Sequence, residues 1–269
     1  MRVPAFCTPE VADTASRDTW IRGLKVSGRS FGETVSLLVD WAGRRDRMRY
    51  FACDNAYSAE LACRDRDFMA AMKRADLLVA DGAGIVVASL ILGGGIRERV
   101  TGPDLFPAVS AELDRQGGRS VFYLGTSDET LAKIRRRHET EFPNLRIAGM
   151  YAPPYRRKFS DEELADMAAA VNAAAPDVLW IGLGAPKQEN WIHANRARLR
   201  VPLCCPVGAV FDYYAGNTKM PPDWIQRCGL HWLYRLMHDP RRLWRRSLDI
   251  PLFVMFCIRD RLFGRREPH

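Results

Sequence analysis

The sequence predicts an α/β protein: a doubly wound, mostly parallel, Rossmann-like sheet with a helical appendage at its C-terminal end. Three observations lead there. Short apolar runs alternate with helical patterns at a spacing of ~25–30 residues, as parallel strands joined by crossover helices require. The stretch DVLWIGLGAPKQENW (177–191) sets a buried strand, Val178 to Leu183, against a small-residue loop and then a helix start. After Gly216 the strand signals stop, and Trp224 to Met237 and Arg241 to Ile258 both read as helical.

The elements follow in order. Residues 1–24 are polar and patternless, a leader. Phe31 to Ala42 is an amphipathic helix and Arg49 to Cys53 a strand. Asn55 to Cys63 and Asp67 to Ala75 are helical, and Leu77 to Ala80 is a short strand ending at Asp81-Gly82. Gly84 to Leu92 is an apolar helix, followed by a Gly93-Gly94-Gly95 loop. Asp104 to Gln116 is a helix, Ser120 to Leu124 a strand, Ser127 to Glu141 a helix and Arg146 to Met150 a strand. Ser160-x-x-Glu163 is a capping box opening a helix to Ala174. The 177–191 strand and helix come next, and Leu203 to Val207 is the last strand. The domain division is therefore a leader (1–24), an α/β domain (25–220) and a basic amphipathic appendage (221–269) beginning near Pro221-Pro222.

The chain of 269 residues carries a net charge of +8, so an anionic partner is expected: a phosphorylated substrate, a lipid surface or nucleic acid. The charge is uneven. Nine arginines between 235 and 269 face four acids (Asp239, Asp249, Asp260, Glu267), which marks a docking surface. Seven cysteines without a C-x-x-C pair point away from zinc and disulfides, toward reduced thiols in a cytoplasmic protein. The longest apolar run near the end, Ile250 to Ile258, contains Pro251 and falls short of the ~20 residues that a bilayer demands.

In such a sheet, ligands sit beyond the carboxyl ends of the strands. Those ends are Cys53-Asp54-Asn55, Asp81-Gly82, Gly125-Thr126, Gly184 to Gln188, and Gly208-Ala209-x-x-Asp212. A strand that delivers a small-residue loop and a helix N-terminus presents free N–H groups to a phosphate. Asp81 follows an apolar strand and precedes small residues. It suits a general base taking a proton from a hydroxyl, or equally a cap for the helix after it. Asp65-Arg66-Asp67 has the spacing of a metal-binding D-x-D but sits where acids open a helix, and reads as that. His231, beside Trp232, reads as packing or surface. Walker and His-Glu-x-x-His motifs are absent from the sequence.

Five ordered stretches resemble the WecG/TagA/CpsF family of bacterial glycosyltransferases. They are ADLLVADGAG (75–84), RVTGPDLF (99–106), IGLGAPKQENW (181–191), VGAVFDYYAG (207–216) and GLHWLYRLMHDPRRLWRR (229–246). The resemblance runs from about Lys25 to the end. It implies a metal-independent, cofactor-free, inverting transferase. Such an enzyme moves N-acetylmannosamine, its uronic acid or a related hexose from a UDP-sugar onto a polyprenyl-diphosphate-linked sugar. It also implies Asp81 as base, with Cys53, Asn55, Arg99, Gln188 and Asp212 lining the pocket. Arg235, Arg242 and Arg245 match appendage arginines that close over the diphosphate. Two departures stand out: Cys53 where the family usually has Thr in Thr-x-Asn, and His231 where it usually has Glu.

The resulting expectation is an enzyme of cell-surface polysaccharide synthesis, peripheral on the inner face of the membrane. Its partners are the UDP-sugar, the lipid-linked acceptor and an anionic membrane surface; a homo-oligomer is allowed and nucleic acid is not expected. The rival is a basic anion- or lipid-binding protein with a degenerate nucleotide pocket. A nucleotide-dependent oxidoreductase is weaker, since no G-x-G-x-x-G opens the first helix.

Overall fold

In a computed structural model, residues 17–156, 159–222, 224–225, 231–238, 240, 244 and 249–264 are described. A hairpin comes first, β1 (Thr19–Ile21) and β2 (Leu24–Val26). Its two-residue turn, Arg22-Gly23, has positive φ at both positions, the geometry that matches the twist of paired strands. This corrects the leader, whose end at residue 24 was placed too late. Strands of three residues, each with a single residue (Trp20, Lys25) pointing out, are too short to register as a period-2 pattern. Ser27 N–H donates to the Leu78 carbonyl at 2.8 Å, tying the end of the hairpin to the main sheet.

The main sheet contains β3 (Arg49–Asp54), β4 (Leu77–Ala80), β5 (Ser120–Gly125), β6 (Arg146–Tyr151), β7 (Val178–Gly182) and β8 (Leu203–Pro206). Their order is β4-β3-β8-β7-β5-β6 and every pairing is parallel, as the sequence predicts. Alternate residues feed two cores. Val121, Tyr123, Val178 and Trp180 point into one, and Phe122, Leu124, Leu179 and Ile181 into the other. Central strands covered on both faces need side chains that are apolar throughout.

The first core is covered by α1 (Phe31–Gly43), α5 (Gly102–Gln116), α6 (Asp128–Glu141) and α9 (Val210–Tyr214). Within it Phe106 meets Trp180 and Tyr214 edge-on, each pair of ring centroids 4.8 Å apart. The other face carries α2 (Ala56–Ala62), α3 (Arg66–Arg74), α7 (Asp161–Ala174) and α8 (Lys187–Asn195). Asp65 caps α3 by accepting the Asp67 and Phe68 N–H groups, so the D-x-D spacing is a helix start, as expected. The five-residue α9 went unread because it is barely longer than a turn.

Beyond the sheet, α4 (Ala83–Ile91) is joined by α11 (Asp249–Phe263), which follows α10 (His231–His238) in the chain. Phe253 and Cys257 of α11 are buried with Ala56, Ala59 and Ile85 of α2 and α4. The Arg64 guanidinium reaches the buried Asp249 carboxylate at 2.5 Å. The second appendage helix thus packs back on the α/β core. Among the described residues no helix is long and apolar enough to cross a membrane.

Candidate active site

The loops that leave β3 and β8 part company. The β3 loop feeds α2, which packs on α3 and α11, and β8 feeds α9, which packs on α5 and α6. Adjacent parallel strands whose connections diverge leave a crevice at their carboxyl ends. Of the predicted site residues, Cys53 and Asn55 stand at the end of β3, Asp81 just past β4, and Gln188 and Asp212 on the helices that follow β7 and β8.

Asn55 directly follows β3 and is the N-cap of α2. Its side-chain oxygen accepts the Tyr57 and Ser58 N–H groups at 3.1 and 3.0 Å. With the oxygen committed, the amide nitrogen must face the other way, and there it donates to Asp81 Oδ2 at 3.2 Å. Asp81 is half-buried, and its N–H donates to the Asp54 carbonyl at 2.8 Å, continuing the strand pairing by one residue. The cap position of α4 falls one residue later, on Gly82 at φ +110. The base and cap readings of Asp81 therefore separate: the cap residue is a glycine, leaving the first turn without a side-chain cap at that position.

The Cys53 thiol lies against Gly102, where an added Cβ would stand 3.6 Å from Sγ. Burial, then the charges of Asp81 and Glu189, push this thiol well up, and the Gly102 N–H opposes them weakly. A thiol so placed stays protonated. Val100 N–H donates to the Ala80 carbonyl at 2.8 Å, which places Arg99 beside the end of β4. Among the described residues Arg99 is half-buried and engaged by no hydrogen bond or ion pair.

Across the crevice, Gly184 at φ +76 and a turn through Ala185-Pro186 lead into α8, which has no side-chain cap. Gln188 is buried. Its Oε1 accepts the Gly184 N–H at 3.1 Å, and its Nε2 donates to Glu189 Oε1 at 2.9 Å. The second amide hydrogen has no acceptor among the described residues. A Cβ on Gly208, at φ +56, would lie 3.6 Å from Gln188 Oε1, so the β7 and β8 loops touch here. Asp212, on α9, accepts the Asn217 and Thr218 N–H groups with its backbone carbonyl. Its half-buried carboxylate has no partner among the described residues.

Two carboxyls that the sequence did not single out stand behind these groups. Asp54 is pushed up to about 7 by burial and by the Asp81 charge, against a hydrogen bond from Ser58. Glu189 is pushed up to about 7 by burial, against the Gln188 hydrogen bond. Each leaves one buried oxygen without a partner among the described residues. Asp54 had a visible signal, an acid ending an apolar strand. Glu189 had none, because α8 reads as a polar helix start. Arg235 falls in α10 with its side chain outside the described residues, and Arg242 and Arg245 lie outside them entirely.

The site therefore places the Asp81 carboxylate, held by an amide, at the edge of the sheet where α4, α5 and α8 begin with cap residues that provide no side-chain hydrogen bond. Such termini favour negative charge. A family model described as glycosyl transferase WecG/TagA/CpsF family matches residues 19–267. The chain belongs to this family. As a WecG/TagA/CpsF glycosyltransferase it is similar to the N-acetylglucosaminyldiphosphoundecaprenol N-acetyl-beta-D-mannosaminyltransferase of Bacillus spizizenii. The two are 34% identical over 202 residues, 75% of each chain. Proteins of the same name from Bacillus subtilis and Staphylococcus aureus are 30% and 26% identical, over 77% and 70% of each chain. Asn55 and Asp81, which the resemblance placed in the WecG/TagA/CpsF pocket, are brought into contact by the fold. Arg99 and Cys53 join them through the Val100 and Gly102 backbones, while Gln188 and Asp212 sit in the first turns of α8 and α9.

Proposed function

We propose that the protein transfers N-acetylmannosamine, its uronic acid or a related hexose, with inversion, from a UDP-sugar to a polyprenyl-diphosphate-linked acceptor. The relatives are named for N-acetylmannosaminyl transfer to N-acetylglucosaminyldiphosphoundecaprenol, and that acceptor is the first to try. The observation that carries the reading is the Asn55–Asp81 contact set among uncapped helix N-termini. Asp81 takes the proton of an acceptor hydroxyl as its oxygen bonds to the anomeric carbon from the face opposite the leaving group. The bond from that carbon to the UDP phosphate oxygen breaks, and UDP leaves with both electrons. Positive charge for the departing diphosphate comes from the N-termini of α5 and α8, from Arg99, and from Arg235, Arg242 and Arg245. Cys53, Asn55, Gln188 and Asp212 shape the pocket around the sugar.

The lipid-linked acceptor brings the enzyme to the inner face of the membrane. On α11, Leu252, Met255, Leu262 and Phe263 are exposed beside Arg259 and Arg261, a pairing suited to an anionic bilayer surface. A panel of UDP-sugars with prenyl-diphosphate acceptors tests the reaction. Asp81→Asn is expected to bind UDP as the wild type does and to lose transfer by at least about a hundredfold. Full transfer by that variant removes the base assignment. No saturable UDP binding by the wild type favours the anion-binding rival.

A further inference from the structure

Asp54 ends β3 with none of its surface exposed. One of its carboxyl oxygens accepts the Ser58 hydroxyl at 2.9 Å, and the other is buried without a partner among the described residues. A buried carboxyl met on one side only is costly to keep. What it holds is therefore informative.

Ser58 is tied to Asn55 at three points. The Asn55 N–H donates to Ser58 Oγ at 2.6 Å, the Ser58 N–H donates to Asn55 Oδ1 at 3.0 Å, and Ser58 Oγ lies 2.9 Å from the Asn55 carbonyl. The hydroxyl has one hydrogen and two candidate acceptors, and the Asp54 carboxyl is one of them. With the hydrogen on Asp54, the Ser58 lone pairs face the Asn55 N–H. The capping box then closes and the Asn55 amide is left aimed at Asp81, 3.2 Å away.

We propose that Asp54 is a positioning residue for the catalytic carboxylate: it holds the Ser58 hydroxyl, which closes the Asn55 capping box and so orients Asp81. Asp54 itself is sealed from substrate. The inference rests on the base reading of Asp81.

The test is steady-state kinetics on the full chain with UDP-N-acetylmannosamine and prenyl-diphosphate-linked N-acetylglucosamine. Asp54→Ala is expected to lower kcat by roughly tenfold, the effect of one lost hydrogen bond to a charged or buried group, and to leave donor KM within about twofold. It should melt no lower than the wild type, since it removes a half-unmet buried carboxyl. A merely structural residue would instead lose activity in step with stability. Asp54→Asn, whose side-chain oxygen still accepts from Ser58, restores most of kcat. In an Asn55→Ala background, Asp54→Ala costs nothing further.

Unchanged kcat in Asp54→Ala overturns the inference, as do losses for Asp54 and Asn55 that multiply independently. Should Asp54→Ala not fold, Ser58→Ala takes its place with the same expected kcat and KM signature and the same overturning result. An inactive Asp81→Asn beside a wild-type Asp54→Ala sinks this inference alone. A fully active Asp81→Asn sinks it together with the base reading.

Discussion

The Asn55 side chain does two jobs at once: its oxygen caps α2 and its nitrogen donates to Asp81 at 3.2 Å. Neither job can move without the other, because the amide is planar and rigid. A helix start is thereby converted into an orienting device for a carboxylate.

Replacing Asn55 with Asp separates the two jobs. The cap oxygen survives, so thermal stability should change by less than about 1 kcal/mol. The donor is lost and a like charge stands beside Asp81, which disfavours its ionised form. Transfer at neutral pH is expected to fall by roughly a hundredfold, read by product formation at saturating donor. An Asn55→Asp enzyme with normal turnover contradicts the orienting role.

The pH dependence of stability tests the buried Glu189. Its folded value, about 7, lies above its ordinary 4.5. Between those values the folded protein retains a proton that the unfolded chain has released. Stability therefore falls as pH rises through that window. Thermal melts of wild type and Glu189→Gln at pH 5 and pH 8 should diverge, the wild type losing roughly 1–3 kcal/mol relative to the variant. Parallel curves would place Glu189 in a better solvated setting. Asp54, raised in the same direction, leaves a residual slope in the variant.

The β5 and β7 ends set a purely steric limit. Gly125 has φ +123, and a Cβ there would lie 2.7 Å from the carbonyl carbon and oxygen of Gly182. Backbone cannot swing aside as a side chain can. Gly125→Ala is expected to cost about 2–4 kcal/mol by chemical denaturation. Gly117→Ala, at φ +70 with open space around it, should cost only about 1–2 kcal/mol. Equal costs would show that conformation alone, and not the close approach, governs both sites.

Membrane association is checked by co-sedimentation with vesicles rich in anionic lipid. Leu262 and Phe263 are 70% and 82% exposed at the end of α11, with no core to lose on substitution. Leu262→Glu with Phe263→Glu should reduce the bound fraction by about tenfold and leave the melting temperature unchanged. Unaltered binding by the pair moves the docking surface elsewhere.

Much of this was legible along the chain. Short apolar runs announced all six parallel strands, and Ser160-x-x-Glu163 announced a capping box that forms as written. The three-residue strands Thr19–Ile21 and Leu24–Val26 were not legible, because alternation needs more positions than they possess. Nor was the packing of α11 on α2 and α4, which depends on Phe253 and Cys257 meeting residues nearly two hundred positions away.

Local pattern along the chain was enough for the order of the strands, the loops that follow them and the acid placed after β4. Those depend on local patterning, which side-chain periodicity and backbone propensity record directly. It took the folded chain to show that β8 lies beside β3, that the Asn55 amide turns its nitrogen to Asp81, and that Asp54 and Glu189 are buried deeply enough to hold protons near neutrality. Burial and hydrogen-bond direction are properties of what surrounds a residue in space, and that surrounding is assembled from segments the chain keeps far apart.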